Sequence, residues 1–267
     1  MTSKLFEKLR GENRAALVLF VSCGDPTMDF SERLIEKICA SGADIVELGV
    51  PFSDPMADGK SIQAASRRAL DGGATIGKVL DMAKRLRQKG VKNPFVMFSY
   101  FNPVFKYGVE KVADKCADAG IDSLLIVDAP LEESAEITSV ATPRGIEFIP
   151  LAAPTSPLER VEKISAAGSG FLYYVTVAGV TGVRGALPEG FAKRLADVRK
   201  ASKLPVAAGF GISTPEMAHA AAKSADAVVV GSKFVDLAYK TRAEQGEEAA
   251  LKAAADFVSS LAAQMKR

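Results

Sequence analysis

Eight short runs of β-branched and apolar residues recur along the chain, each followed by a loop rich in Gly, Pro, Asp or Ser and, in most cases, by a helical stretch. We predict strands at Ala15–Val21, Ile45–Leu48, Phe95–Ser99, Ser123–Val127, Glu147–Leu151, Phe171–Thr176, Pro205–Ala208 and Asp226–Val230. Strands that alternate with helices form a parallel sheet covered by those helices. Eight such units over 267 residues favour a closed (β/α)8 barrel over an open, doubly wound sheet.

The stretches between the predicted strands have the apolar spacing of amphipathic helices. They include Phe30–Ala40, Ile76–Lys89, Val109–Ala119, Leu158–Ala167 and Phe191–Lys200. Two further segments lie outside the repeat, at Ser3–Arg10 and Ser61–Leu70, and no linker rich in Pro, Ser or Gly divides the chain. We therefore expect residues 1–267 to form a single α/β domain, a TIM barrel with an extra N-terminal helix and extra helical segments in its loops.

Composition and charge exclude several classes of protein. Apolar residues make up 48% of the chain and charged residues 25%, as in an ordinary soluble globular protein. The 34 Lys and Arg residues exceed the 32 Asp and Glu residues by only two, which argues against a nucleic-acid binder or a polybasic membrane binder. No apolar run approaches the ~18 residues needed to span a bilayer, and the first run ends at Gly24-Asp25-Pro26 without a signal-peptide cleavage site. We expect a cytoplasmic protein.

The scarcity of histidine and cysteine limits the chemistry available. The one histidine, His219, lies in a predicted helix at Thr214–Ser224. Cys23, Cys39 and Cys116 are scattered and form no C-x-x-C pair. A His-based metal site would have a single imidazole to build on, so we expect no metal. Catalysis would then depend on carboxylates, Tyr, Lys or backbone dipoles.

The second predicted strand and the loop that follows it carry two carboxylates. If Ile45 points into the barrel, strand alternation places Glu47 on the same face near the upper rim, where desolvation would raise its pKa. Asp58 could return to the same mouth and stay ionised, and two carboxylates in different environments can divide acid and base roles. The pattern is equally consistent with an outward Glu47 in an ion pair and with Asp58-Gly59 as a simple turn.

Glycine-bearing loops follow the last three predicted strands, at Ala178–Gly182, Ala208–Ser213 and Gly231-Ser232. Glycines let backbone N–H groups approach an anion, and barrels often bind phosphate with these loops and a helix N-terminus. Glycines also end helices in ordinary turns, but two such loops at adjacent strand ends favour a phosphate site. The loop 177–188 is either a mobile lid over the site or a surface loop without a role in function.

The residues at the strand ends resemble those of the tryptophan synthase alpha subunit family. The most specific block is the run Glu47-Leu48-Gly49-Val50-Pro51-Phe52-Ser53-Asp54-Pro55-Met56-Ala57-Asp58-Gly59. The other matching blocks are Gly24-Asp25-Pro26, Tyr100 with Asn102-Pro103, Asp128-Ala129-Pro130, Tyr173, Gly179-Val180-Thr181-Gly182, Gly209-Phe210-Gly211-Ile212 and Gly231-Ser232. The resemblance covers almost the whole chain, and every block lies at a predicted strand end.

This resemblance implies a carbon–carbon lyase that cleaves indole-3-glycerol phosphate by a retro-aldol step into indole and glyceraldehyde 3-phosphate. It implies that Glu47 moves the protons and that Asp58 accepts a hydrogen bond from the indole N–H, stabilising the positive charge that develops there. Tyr173 would line the site near Glu47, and Thr181 would lie on a lid that closes toward Asp58. The implied phosphate-binding positions are Gly182, Phe210, Gly211, Gly231 and Ser232.

The resemblance also implies an apolar pocket for the indole ring. Its positions are Phe20, Phe98, Tyr100 and Leu125. The sequence departs from the family pattern at Phe98, which is usually Leu or Met, and at Cys23, which is more often Ala. We therefore expect the two carboxylates to be retained and the shape of the pocket to differ.

A partner is implied as well: a pyridoxal-phosphate-dependent beta subunit that receives indole through a tunnel and makes L-tryptophan. The two chains would form an alpha2beta2 assembly, with the cofactor on the beta subunit and none on this chain. The positions that match the partner-facing surface are Pro51, Asp54, Asn102 and Phe105.

Three other functions remain open from the residues alone. A lyase on the same scaffold could work without a beta partner. The barrel could be a non-catalytic activating or docking subunit, although the presence of both Glu47 and Asp58 argues against this. Another phosphate-binding barrel, such as a sugar-phosphate isomerase, would explain the glycine loops but not Pro51–Pro55 together with Asp58.

Overall fold

The strands form one parallel sheet. The computed structural model describes residues 2–175, 190–209 and 211–267. Its strands are β1 (Ala16–Ser22), β2 (Ile45–Gly49), β3 (Phe95–Ser99), β4 (Ser123–Ile126), β5 (Glu147–Phe148), β6 (Leu151–Ala152), β7 (Leu172–Val175), β8 (Val206–Gly209) and β9 (Ala227–Val230). Their order across the sheet is β5-β4-β3-β2-β1-β9-β8-β7-β6. Chain neighbours are therefore sheet neighbours except β5 and β6, which lie at the two ends, and β1 pairs with β9.

The two ends of this sheet meet at Ile149 and Pro150, the residues between β5 and β6. The Ile149 N–H donates to the carbonyl of Leu124 at 2.8 Å, and the Tyr173 N–H donates to the carbonyl of Pro150 at 2.9 Å. The segment is thus bonded to β4 on one side and to β7 on the other, which closes the ring. Because Pro150 has no N–H, the strand predicted at Glu147–Leu151 is interrupted. The predicted TIM-barrel-like α/β fold is confirmed.

Twelve helices occur in the described part of the chain: α1 (Thr2–Gly11), α2 (Met28–Ala40), α3 (Lys60–Asp71), α4 (Ile76–Gln88), α5 (Phe101–Tyr107), α6 (Val109–Ala119), α7 (Ser134–Ala141), α8 (Leu158–Ala167), α9 (Phe191–Ala201), α10 (Pro215–Ala222), α11 (Ser232–Gln245) and α12 (Glu247–Ala262). The two predicted extra segments are α1 and α3. Threonine side chains cap the N-termini of α2, α4 and α10, as expected of good N-cap residues. Within the described ranges, no helix has the length and apolarity to cross a membrane.

Helix α5 was not among the helices predicted from the sequence. The N–H of Phe101, at its first turn, donates to the carboxylate of Asp128 at 2.7 Å. This cap comes from 27 residues further along the chain, so the local sequence does not show it. Pro103 is tolerated because it lies in the first turn, where its missing N–H has no intrahelical partner.

The apolar residues divide into a shell between sheet and helices and a separate cluster inside the barrel. The buried members of the inner cluster are Phe6, Leu9, Ala16, Val18, Ile45, Val96, Leu125, Ile149, Phe171, Ala207, Ala227 and Val229. Phe6 and Leu9 come from α1, which therefore covers the N-terminal end of the barrel. Two residues further along the strands, on the same face, lie Phe20, Glu47, Phe98, Tyr173, Gly209 and Gly231. Strand alternation thus places this second layer at the C-terminal mouth.

Candidate active site

A cleft opens at the C-terminal mouth of the barrel, directly above the inner cluster. It encloses about 490 Å³ of atom-free space that is continuous with solvent. Its lining residues are Phe20, Glu47, Asp58, Ile62, Phe98, Tyr173, Gly209, Gly211, Val229, Gly231 and Ser232. Most members of this set were predicted as site residues; Ile62, Gly209 and Val229 were not.

The three lining residues that were not predicted had weak signals in the sequence. Gly209 follows Ala207 by two residues, and Val229 follows Ala227 in the same way, so alternation directs them to the barrel interior. Ile62 belongs to the apolar face of α3, whose buried residues also include Ala65. In the sequence such a face is indistinguishable from one that only packs on the barrel.

Several predicted residues lie elsewhere. Leu125 is fully buried in the inner cluster, beneath the cleft. Tyr100 is not in the lining set; its hydroxyl accepts a hydrogen bond from the Ala57 N–H at 3.0 Å. The predicted lid residue and two predicted phosphate-binding residues lie outside the described residues: Thr181, Gly182 and Phe210.

Glu47 points into the cleft from β2, on the same face as Ile45. Its side chain is 0% exposed, and neither carboxylate oxygen has a hydrogen-bond partner among the described residues. Burial raises the pKa of this carboxyl from 4.5 to about 8, because a charged carboxylate without a partner is costly away from water. At neutral pH the carboxyl is therefore mostly protonated, and it can give its proton to a group bound in the cleft.

Asp58 lies just before α3 and is also buried. Burial raises its pKa from 3.8 to about 6, and a hydrogen bond with the Tyr100 side chain acts in the opposite direction. The Gln63 side-chain amide donates to the Asp58 carbonyl at 2.8 Å, which holds the backbone of this residue against the first turn of α3. Asp58 is thus mostly ionised at neutral pH while Glu47 is mostly protonated, so the two acids suit different tasks.

Aromatic rings form the apolar wall of the cleft. Phe98 packs edge-on against Phe20, with 5.2 Å between the ring centroids, and lies 6.5 Å from the ring of Tyr173. Glycines make room for these rings: a Cβ on Gly49 would lie 2.4 Å from the tip of Phe20, and one on Gly209 would lie 2.5 Å from the Tyr173 hydroxyl. Burial and the nearby carboxylates raise the pKa of Tyr173 well above its ordinary value, so its hydroxyl keeps its proton.

The other side of the cleft is made of backbone and one hydroxyl. Gly211, Gly231 and Ser232 line it, and α11 begins at Ser232. The first N–H groups of a helix have no intrahelical partners, and together with the helix dipole they favour an anion. No group of three or more His, Cys, Asp or Glu side chains that could hold a metal occurs in the ranges described.

The rim beside the cleft carries exposed apolar side chains. Met56, in the β2–α3 loop, is 85% exposed, and Phe105 of α5 is 65% exposed. Two of the predicted partner-facing residues, Asp54 and Asn102, are exposed close to them in sequence, whereas Pro51 is buried and offers little surface. Methionine and aromatic residues such as these are enriched in protein–protein interfaces.

Comparison with known families identifies the barrel. The model of the family described as tryptophan synthase alpha chain matches residues 6–266. The chain belongs to this family. A tryptophan synthase alpha chain of Geobacter sulfurreducens is 46% identical over 257 residues, which cover 96% of this chain and 95% of that one. Another, from Geobacter sp. (strain M21), is 48% identical over 233 residues, 87% of each chain.

Solved structures of the family have the same fold. The tryptophan synthase alpha chain of Legionella pneumophila subsp. pneumophila superposes with a TM-score of 0.90 at 33% identity, covering 99% of this chain and 96% of that one. A tryptophan synthase structure from Mycobacterium tuberculosis superposes with a TM-score of 0.89 at 31% identity, covering 100% and 98%. The family membership predicted from the strand-end blocks is thereby confirmed.

Proposed function

We propose that the cleft is where this alpha-chain lyase cleaves indole-3-glycerol phosphate into indole and glyceraldehyde 3-phosphate, with Glu47 as its proton carrier. The observation that carries this assignment is the burial of both Glu47 oxygens without a hydrogen-bond partner in the described structure. A buried carboxyl without a hydrogen-bond partner lowers the stability of the fold, and such a group is expected where a reaction needs a shifted pKa. It is not expected in a barrel that serves only for docking.

The proton steps account for the raised pKa of Glu47. Its protonated carboxyl donates to C3 of the indole ring, which places a positive charge on the ring nitrogen. The resulting carboxylate then takes the proton of the glycerol hydroxyl on the attached carbon. As that C–O bond becomes a carbonyl, the carbon–carbon bond breaks and its electron pair returns to the ring. Glu47 ends protonated, as it began, so one residue serves both transfers.

Asp58 and Tyr173 support these steps. The ionised carboxylate of Asp58 accepts the indole N–H and stabilises the positive charge that forms when C3 is protonated. Tyr173, whose phenol stays protonated, packs beside Glu47 and limits the access of water. The reaction therefore uses the two carboxyls in opposite protonation states.

The remaining contacts orient the substrate. The ring would lie against Phe20 and Phe98, and the phosphate would bind at Gly211, Gly231 and Ser232 near the start of α11. Phe98 is bulkier than the residue expected from the family pattern, so we expect a tighter fit for the ring. We also propose that Thr181, Gly182 and Phe210 complete the lid and phosphate site.

We propose that a pyridoxal-phosphate-dependent beta subunit binds the rim formed by Met56, Phe105 and their exposed neighbours, in an alpha2beta2 assembly. Met56 and Phe105 supply the exposed apolar side chains such a contact needs. The cofactor would belong to the beta subunit, and this chain would work without one, in the cytoplasm. Indole would pass between the two sites.

The function is tested by measuring indole release from indole-3-glycerol phosphate, with the purified chain alone and after adding a tryptophan synthase beta subunit. We expect slow release by the chain alone and a strong increase with the partner. Fast release that ignores the partner would instead indicate a self-sufficient lyase. No release in either case would overturn the proposal and leave another phosphate-binding barrel.

The close approach of Gly209 and Tyr173 gives a steric test of the cleft. In Gly209→Ala the new Cβ would lie 2.5 Å from the Tyr173 hydroxyl, so the ring must move toward the substrate. We expect kcat/KM to fall by about tenfold or more, because small displacements of positioned groups are costly. Gly11→Ala, where a Cβ meets nothing within 4 Å, is the matched control and should leave kcat/KM unchanged. Equal activity of both variants would exclude this packing from the active site.

A further inference from the structure

The first turn of α3 and the second turn of α11 are joined by a side-chain hydrogen bond. The Ser61 hydroxyl donates to the carboxylate of Asp236 at 2.8 Å, across 175 residues of sequence. Helix α3 begins two residues after Asp58, and α11 begins at Ser232. The bond therefore connects the segment that carries one catalytic carboxylate to the helix whose N-terminus forms the phosphate end of the cleft.

The neighbours of these two residues pack together as well. Ile62, next to Ser61, and Val235, next to Asp236, belong to one small buried cluster with Phe20. Ile62 and Phe20 also line the cleft. The Ser61–Asp236 hydrogen bond thus lies beside a small apolar cluster, two of whose members line the cleft.

A second contact anchors the other half of α3. The Arg68 guanidinium lies 3.5 Å from the centre of the Tyr239 ring on α11 and makes two hydrogen bonds of 2.7 Å to Asp25 in the β1–α2 loop. A stacked, bidentate arginine is a strong anchor. The body of α3 therefore stays attached to α11 without Ser61, whose hydrogen bond specifically restrains the first turn.

We propose that Ser61 and Asp236 are positioning residues that fix the position of Asp58 relative to the phosphate-binding end of the cleft. Neither residue is among those lining the cleft, so Ser61 acts through the first turn of α3 and Asp236 through the second turn of α11. The inference rests on the proposed function. If it is right, the Asp58 carboxylate is already in position to accept the indole N–H when the substrate phosphate binds at the start of α11, as preorganised catalysis requires.

The signature of this role is a loss in kcat with little change in KM. In Ser61→Ala the phosphate end of the cleft and the Arg68 anchor are intact, so substrate still binds, but Asp58 is less well placed. We expect kcat to fall about tenfold and KM to change by less than about threefold. Binding of inorganic phosphate, measured as the increase that it causes in the melting temperature, should be unchanged.

Conservative replacement and a double variant separate this role from ordinary helix packing. Ser61→Thr keeps the hydroxyl and should retain most of the wild-type kcat. Asp236→Ala should lose as much as Ser61→Ala, and combining the two should cost little more, because both remove one interaction. Arg67→Ala, an exposed position on the same helix, is the control and should have wild-type kcat.

The outcomes that overturn the proposal are distinct from failure of the proposed function. If wild-type protein and Ser61→Ala release indole equally fast, or if Ser61→Ala only lowers the melting temperature, the contact is structural and the positioning role is wrong. Additive losses in the double variant would also contradict it. If the wild-type protein releases no indole with or without the beta subunit, the proposed function itself fails.

Discussion

Glu47→Gln is expected to lower kcat for indole release by about 10²–10⁴, the usual contribution of a positioned acid–base group. Glutamine fills nearly the same volume but has no proton to give to C3 of the indole ring and cannot take one from the glycerol hydroxyl. Since the substrate would still be held by its ring and phosphate, KM should change much less than kcat. Steady-state rates with and without the beta subunit measure both quantities.

The same variant tests the buried carboxyl through stability. The pKa of Glu47 rises from 4.5 to about 8 on folding, so its contribution to stability is fully present below about pH 4.5 and is lost as pH rises through about 8. Glutamine does not titrate. The free energy of unfolding of Glu47→Gln relative to wild type, and with it the relative melting temperature, should therefore increase with pH across this window. The total change in the free energy is on the order of 5 kcal/mol at most.

Two results would contradict this assignment of Glu47. One is a Glu47→Gln variant that retains wild-type kcat. The other is a melting-temperature difference that does not change with pH, which would mean that the carboxyl is ionised and solvated in the folded chain. Glu159→Gln, at an exposed position on α8, is the matched control and should have neither effect.

Asp58→Asn is expected to lower kcat by about 10²–10³, as removal of one electrostatic stabiliser typically does. The asparagine oxygen can still accept the indole N–H, so the variant removes the charge and keeps the hydrogen bond. The positive charge on the ring nitrogen develops only after C3 is protonated, so the loss should fall on kcat rather than on KM.

A comparison of two carboxylates, Asp58 just before α3 and Asp71 at the C-terminal end of α3, checks the role of Asp58. Asp71→Asn changes a carboxylate at the other end of the helix, 64% exposed and paired with Arg67, and should leave kcat unchanged. An Asp58→Asn variant as active as Asp71→Asn would show that Asp58 does not stabilise charge on the substrate.

The orientation of Glu47 illustrates how far the sequence could be interpreted. Alternation puts Ile45 and Glu47 on one face of β2, but both faces of a parallel strand in a barrel are apolar, so the pattern leaves open which face is inside. Val46 is as buried as Ile45. The choice is made by packing: Ile45 lies in the inner cluster and Val46 in the outer shell.

Other features depended on residues far apart in the chain. The cap of α5 comes from Asp128, and the bond between Ser61 and Asp236 links residues that no local pattern relates. Helix α11 was not predicted, because it packs on two sides: Phe234 joins the outer shell and Val235 the small cluster beside the cleft. Such a helix has no single apolar stripe. The strand-end blocks, by contrast, are local, and they were sufficient to identify the family.

The pH dependence of kcat/KM for indole release tests the central claim most directly, because that parameter reports the ionisation of the free enzyme and the free substrate. Glu47 must be protonated, so activity should fall as pH rises through about 8. Asp58 must be ionised, so activity should also fall as pH drops through about 6. Asp58→Asn should keep the alkaline fall at a lower overall rate, whereas the residual activity of Glu47→Gln should lose it. A wild-type rate that stays constant or rises up to about pH 9 would contradict the assignment of Glu47 as the proton donor.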